Sequence, residues 1–140
     1  MKILLLFPPD WLPSEPYLSL PALTSVLRPA GHEVIQKDIN VEMYDMFFSR
    51  PFLEQVSGRI AGELGHLLEV ESQRTLDEEE STLKEQLLQS TPDVLSRLAS
   101  DAEEAKNILR GESFYDIDKL EWATNTLHET MAHISLGYYP

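Results

Sequence analysis

The chain has 140 residues, a formal net charge of −13 and no cysteine. This length suits one domain with a real core, and the 42% hydrophobic and 25% charged residues are ordinary for a globular protein. The acidic balance disfavours partners that carry phosphate, such as nucleic acid and anionic lipid. Without cysteine, the chain itself has no disulfide, thiol nucleophile, thiolate zinc site or iron–sulfur ligand.

The chain opens with signals for a strand, a loop, a helix and a second strand. The apolar run 2–7 is typical of a parallel strand that is buried on both faces. Pro8 and Pro9 end this strand because neither has an N–H donor, and a proline-rich loop follows. The run 33–37 predicts a second strand, parallel to the first and joined to it by a right-handed crossover.

A helix is expected between the two strands. Ser19 is the expected cap and Pro21 suits the first turn. Pro29 predicts that the helix ends before Gly31, which supplies a left-handed turn back toward the sheet. Helical spacing predicts an apolar face made of Leu20, Leu23, Val26 and Leu27.

From Val41 onward the apolar residues recur at helical spacing, and no further strand signal follows. The second of these helices contains Gly58, Gly62 and Gly65, which allow either a close helix–helix approach or a break near Gly65. Each glycine weakens the helix by about 1 kcal/mol.

Two later helix starts are marked by their capping residues. Thr91 and Pro92 predict a start with Thr91 as the cap, and Gly111 ends that helix. Ser113 and Asp116 have the spacing of a capping box for the last helix. The acidic run 77–80 before them is interpreted as a solvated helix or a mobile loop in preference to a metal site.

The loop after the first strand is the candidate ligand site, because open α/β sheets bind ligands beyond the carboxyl ends of their strands. Neither a dinucleotide nor a P-loop glycine motif is present. The two prolines suit contact with a flat apolar ligand, on which Trp11 and Tyr17 either stack or instead cap the sheet edge. Asp38 and Asn40 either contact a ligand hydroxyl or cap the next helix.

The histidines do not form a defensible catalytic or metal constellation. His128 and His133 point about 140° apart on a helix, so they do not easily share a metal. Glu129 and His133 have the spacing of one arm of a carboxylate–histidine site, but nothing nearby completes it. His66 is interpreted as a packed or partly exposed side chain, and His32 as one that faces the turn.

Six short segments carry a resemblance to a known family. They are KILLLFPP at 2–9, PYLSLPAL at 16–23, LRPAGHEV at 27–34, DINVEMYD at 38–45, SFYDIDKL at 113–120 and ISLGYYP at 134–140. In this order they resemble the N-terminal region of cobalamin-binding radical S-adenosylmethionine proteins. The groups they look like are labelled anaerobic magnesium-protoporphyrin ester cyclase-like and radical methyltransferase-like.

The resemblance implies a Rossmann-like cobalamin domain, followed by a barrel that holds a 4Fe-4S cluster and S-adenosylmethionine. It assigns Pro8, Pro9, Tyr17 and Leu18 to the cofactor edge of the sheet. The Cys-x-x-x-Cys-x-x-Cys cluster motif and the Asp-x-His-x-x-Gly cobalamin motif are both missing. The S-adenosylmethionine and the cluster are therefore expected in a part that this chain lacks, and the chain is not expected to be catalytic alone.

The resulting prediction is a helix-rich α/β chain that forms an incomplete, truncated domain. Residues 1–40 are the βαβ start of a Rossmann-like cobalamin domain, and residues 41–140 are a helical extension of four or five helices. The expected partners are the remainder of the enzyme and, through an open sheet edge, a second copy. The apolar stretch 3–7 is too short for a signal peptide or a membrane span, so a cytoplasmic location is expected.

Two other classes of protein stay open. One is a helical interaction module without a cofactor, whose leucine stripes bury a partner helix. The other is a receiver-like domain, which needs paired acids after its first strand, where this chain has Phe7, Pro8 and Pro9.

Overall fold

A computed structural model describes residues 1–8 and 18–138. Over these ranges the chain is rich in helix, with a short two-stranded parallel sheet at the N-terminus and helices after it. It divides into two compact units, Met1–Met46 and Phe47–Pro140. Assigning the first segment to a cofactor domain stays a prediction.

The first unit has the predicted strand–helix–strand order. Its elements are β1 (Lys2–Phe7), α1 (Ser19–Leu27), β2 (Glu33–Asp38) and most of α2 (Ile39–Phe47). The strands pair in parallel, with Ile3 opposite Val34, as predicted. Gly31 has a φ of 83°, which is the left-handed conformation predicted for the turn into β2. The helix ends before Pro29, as expected.

The prediction for the start and the apolar face of α1 is wrong in part. Ser19 is the first helical residue, and the N-cap position is held by Leu18 without a side-chain hydrogen bond. Leu20 is buried as predicted, but Leu23 and Val26 are exposed. The buried polar residue Thr24 instead joins α1 to the sheet, because its Oγ1 accepts a hydrogen bond of 2.6 Å from Gln36. A two-stranded sheet is too narrow to cover the whole apolar face of the helix.

The second unit is a helical assembly. Its helices are α3 (Arg50–Gln73), α4 (Glu78–Gln89), α5 (Pro92–Arg110) and α6 (Ile117–Leu136), with a short 3-10 helix (Glu112–Tyr115) before the last. With α2, the described part of the chain has five α-helices after the second strand, in agreement with the predicted four or five. Its core includes Leu53, Val56, Leu87, Leu95, Leu98, Ala102, Ala105 and Ala123.

The helix starts in this unit are only partly as predicted. Thr91 caps α5 by accepting a hydrogen bond from the N–H of Val94, and Gly111 follows the last residue of that helix, as expected. The predicted capping box at Ser113 is wrong, because Asp116 is itself the cap of α6 and accepts from the N–H of Lys119. Ser113 lies in the 3-10 helix, which delays the start of α6.

The three glycines of α3 neither break the helix nor allow a close approach. The helix runs unbroken to Gln73. A Cβ atom added at Gly58, Gly62 or Gly65 would meet no other atom within 4 Å. Both alternatives offered by the sequence are therefore wrong, and these positions are simply exposed glycines in a helix.

Among the helices of residues 1–8 and 18–138, none is both long enough and apolar enough to cross a membrane.

Candidate functional site

The carboxyl end of β1 is the predicted cofactor edge. Pro8 is exposed directly after the strand, and Leu18 is 71% exposed just before α1. Pro9 and Tyr17 lie outside the described residues, as does Trp11. Pro8 and Leu18 are the two described residues of the predicted set, and both offer accessible apolar atoms. Pro8 has no backbone N–H donor.

The polar residues after β2 begin a helix. The Asp38 Oδ1 atom accepts a hydrogen bond of 3.0 Å from the N–H of Val41. This confirms the capping alternative for Asp38 over a role in holding a ligand hydroxyl. Asn40 is buried in the first turn of α2, so it does not present its amide to solvent.

One face of the sheet is exposed, and it is apolar. Successive strand side chains point to opposite faces, so the bond between Gln36 and Thr24 identifies the face that α1 covers. Leu4, Leu6 and Ile35 lie on the other face, where they are 56%, 50% and 52% exposed. Leu4 is opposite Ile35, so the three form one patch, called here the open sheet face. The expectation that the first strand is buried on both faces is wrong for this chain.

Both strands are also edge strands. In the described residues the sheet contains only β1 and β2, so each strand has one side without a neighbouring strand. Ion pairs lie at the two ends of the sheet, between Lys2 and Glu33 at 3.3 Å and between Lys37 and Glu42 at 3.2 Å. Unpaired strand edges are templates for a further strand.

A serine–histidine contact that the sequence did not reveal lies in the second unit. The Ser90 Oγ atom, at the end of α4, lies 2.8 Å from Nδ1 of His133 on α6. Burial lowers the pKa of His133, and the charge of Arg97 adds to this effect while Glu129 opposes it. Ser90 is buried, so its hydroxyl is closed to a substrate and the contact joins two helices. The two residues are 43 positions apart, and no local pattern predicts such a contact.

The pKa of His133, which burial lowers, predicts a pH dependence of stability. Because the folded pKa of His133 lies below its unfolded value, protonation favours the unfolded chain, so stability is highest above the unfolded pKa of about 6.5. We expect the free energy of unfolding to fall as the pH drops below that value, and His133→Gln to flatten this dependence. Urea unfolding at several pH values measures it. The control is His128→Gln, which changes an exposed histidine. If the free energy of unfolding depended on pH to the same extent in His128→Gln and in His133→Gln, the expectation would be contradicted.

The acidic run 77–80 forms the N-terminus of α4. Asp77 and Glu80 form a capping box, and the carboxylates of the first turn lie at the positive end of the helix dipole. Arg74 binds Glu80 and, with the N–H of Asp77, lowers the pKa of Glu80 to about 2. In the part of the chain that the structure describes, no three histidine or carboxylate side chains are grouped so that they could hold a metal.

The remaining histidines have no common site. His66 and His128 are exposed, and His32 is half-buried beside the turn. The Nδ1 atom of His32 is buried and has no hydrogen-bond partner among the described residues. Within residues 1–8 and 18–138, no third side chain extends the spacing of Glu129 and His133 into a metal site.

Comparison with protein-family models, with curated proteins and with solved structures finds no match to this chain.

Proposed function

We propose that the chain is the N-terminal region of a cobalamin-binding radical S-adenosylmethionine protein, of the magnesium-protoporphyrin cyclase-like or methyltransferase-like kind. In this proposal the first unit is the start of a Rossmann-like cobalamin domain and is not catalytic alone. The observation that carries the proposal is the open sheet face of Leu4, Leu6 and Ile35. A parallel sheet is normally covered on both faces, and here α1 covers one.

The energetics of the open sheet face favour a further protein layer over it. Fully burying a leucine or isoleucine side chain contributes about 1.5–3 kcal/mol. The three side chains are each about half exposed, so covering them would contribute on the order of 1 kcal/mol each. A two-stranded sheet is marginal by itself, and added strands or a second helix would stabilise it. The proposed source of that layer is the remainder of the enzyme, or a second copy paired along a strand edge.

The chemistry of the strand ends fits a flat, largely apolar ligand. Pro8 and Leu18 present accessible carbon atoms, and Pro8 and Pro9 lack the N–H groups that a phosphate would require. Pro8, Pro9, Tyr17 and Leu18 would contact the edge of the cobalamin, which accepts and donates a methyl group when bound. A 4Fe-4S cluster needs thiolate ligands, so its cysteines and the S-adenosylmethionine site would lie outside this chain.

The test is a titration with hydroxocobalamin, followed by visible absorbance and calorimetry. It is carried out on this chain and on the full-length product of its gene. We expect the full-length product to bind and this chain to bind weakly or not at all. If neither protein binds, the cofactor proposal is wrong and a helical interaction module without a cofactor becomes the better interpretation.

A single substitution tests the cofactor edge without weakening the fold. Leu18→Asp in the full-length product replaces an apolar contact with the corrin ring by a charge, and we expect it to weaken hydroxocobalamin binding by about tenfold or more. Leu18 is 71% exposed and a carboxylate at the N-terminus of α1 is favoured by the helix dipole, so this variant should keep the fold. The matched control is Leu88→Asp, at an exposed position of α4, which should bind as the unchanged protein does. Equal binding by both variants would remove Leu18 from the site.

A further inference from the structure

The start of α6 carries a second exposed apolar surface, separate from the sheet. Three large side chains are accessible there: Phe114 at 43%, Tyr115 at 87% and Ile117 at 78%. We call them the aromatic patch. The rings of Phe114 and Tyr115 meet edge to face, with centroids 5.5 Å apart. Side chains of this size and number in one exposed place are typical of an interaction surface.

A hollow between α5 and the start of α6 lies next to the aromatic patch in the chain. It has a volume of about 330 Å³ and is lined by Trp122, which is 39% exposed, and by Ser113 and Asp118, the chain neighbours of Phe114 and Ile117. Glu104 and Asp118 line the same hollow, and neither carboxylate forms an ion pair within the described residues. Lys119 also lines it, but its ammonium lies 3.8 Å from the Asp116 carboxylate. The hollow therefore combines apolar carbon with a net negative charge.

We propose that the aromatic patch binds a basic amphipathic segment of a partner protein. The apolar side chains of such a segment would cover Tyr115 and Ile117, while a lysine or arginine enters the hollow between Glu104 and Asp118. A cation there can also contact the indole face of Trp122, which attracts positive charge. This surface belongs to the second unit, and the proposal does not depend on cobalamin binding.

The charge of the chain selects between possible occupants. A second copy would bring the same carboxylates to the interface, and like charges facing one another cost binding energy. Nucleic acid is repelled for the same reason. A basic segment is instead attracted by the net charge of −13, which also raises its association rate.

The probe is a synthetic amphipathic helix of leucine and lysine, with a leucine–glutamate helix of the same pattern as its control. Binding is followed by calorimetry and by the tryptophan emission of Trp11→Phe, in which Trp122 is the remaining tryptophan. We expect the lysine peptide to bind and to shift the Trp122 emission to shorter wavelength. Absence of binding, or equal binding of the two peptides, would overturn the proposal.

Two pairs of variants distinguish binding at the aromatic patch from general electrostatic attraction to the acidic chain. We expect Glu104→Gln with Asp118→Asn to weaken binding by about tenfold, while Glu79→Gln with Glu85→Gln on α4 removes the same charge with a much smaller effect. Tyr115→Ser with Ile117→Ser should weaken binding equally, and these side chains are so exposed that the fold should not suffer. Equal losses in the two charge pairs would overturn the proposal, since attraction would then be general.

Discussion

Replacing Leu98 by alanine is expected to lower the free energy of unfolding by about 2–5 kcal/mol. Leu98 lies on α5, is 1% exposed, and belongs to the core of the second unit. Its removal loses buried apolar area and leaves a cavity that close-packed neighbours fill only partly. Urea unfolding followed by circular dichroism measures the change.

The matched control for Leu98 is Leu88, which is 52% exposed on α4. The same chemical change there creates no cavity, so Leu88→Ala should alter stability by less than about 0.5 kcal/mol. Similar losses at both positions would mean that the core of the second unit is not packed around α5 as described.

Replacing Gly58, Gly62 and Gly65 together by alanine is expected to raise the free energy of unfolding by about 2–3 kcal/mol. All three lie inside α3, where alanine is favoured over glycine by about 1 kcal/mol at each position. The added methyl groups meet no other atom within 4 Å, so no steric cost offsets this gain. The same urea experiment measures it.

Gly137 provides a control at which the same change, glycine to alanine, is expected to destabilise the chain. Its backbone is helical, with a φ of −70°, so the conformation alone tolerates alanine. A Cβ there would lie 2.9 Å from Cγ1 of Val56, which is completely buried. We therefore expect Gly137→Ala to destabilise the chain by about 1–3 kcal/mol, as other overpacked sites do. A stabilising effect of Gly137→Ala, or a loss in the α3 variant, would contradict the described packing of α3.

Local sequence signals were sufficient to predict the features that depend only on neighbouring residues. The apolar run of β1, the left-handed Gly31 and the Thr91 cap each appear where the sequence places them. The prediction of a helix cap was wrong where two candidate residues lie close together in the chain, because Asp116 and not Ser113 caps α6. A capping pattern states which residues are able to begin a helix, but the preceding turn decides which one does.

The burial of helix faces was harder to predict. Helical periodicity shows that a face is apolar, but it does not show whether another element covers that face. Leu23 and Val26 both fall on the predicted apolar face of α1, yet both are exposed. Strand order predicted a ligand site in the loop after β1, and the family resemblance added Pro8 and Leu18 to it. Both residues are accessible, and their role at a cofactor stays a prediction. The contact between Ser90 and His133 joins distant parts of the chain, so it required the structure.

The most direct test of the central proposal is hydrogen exchange of the full-length gene product, with and without hydroxocobalamin. If the first unit begins a cobalamin domain, amides in β1 and at the start of α1 should exchange more slowly when the cofactor is bound. Those of α5, in the second unit, should be unchanged. Cofactor binding that protects α5 and leaves β1 unprotected would contradict the proposal.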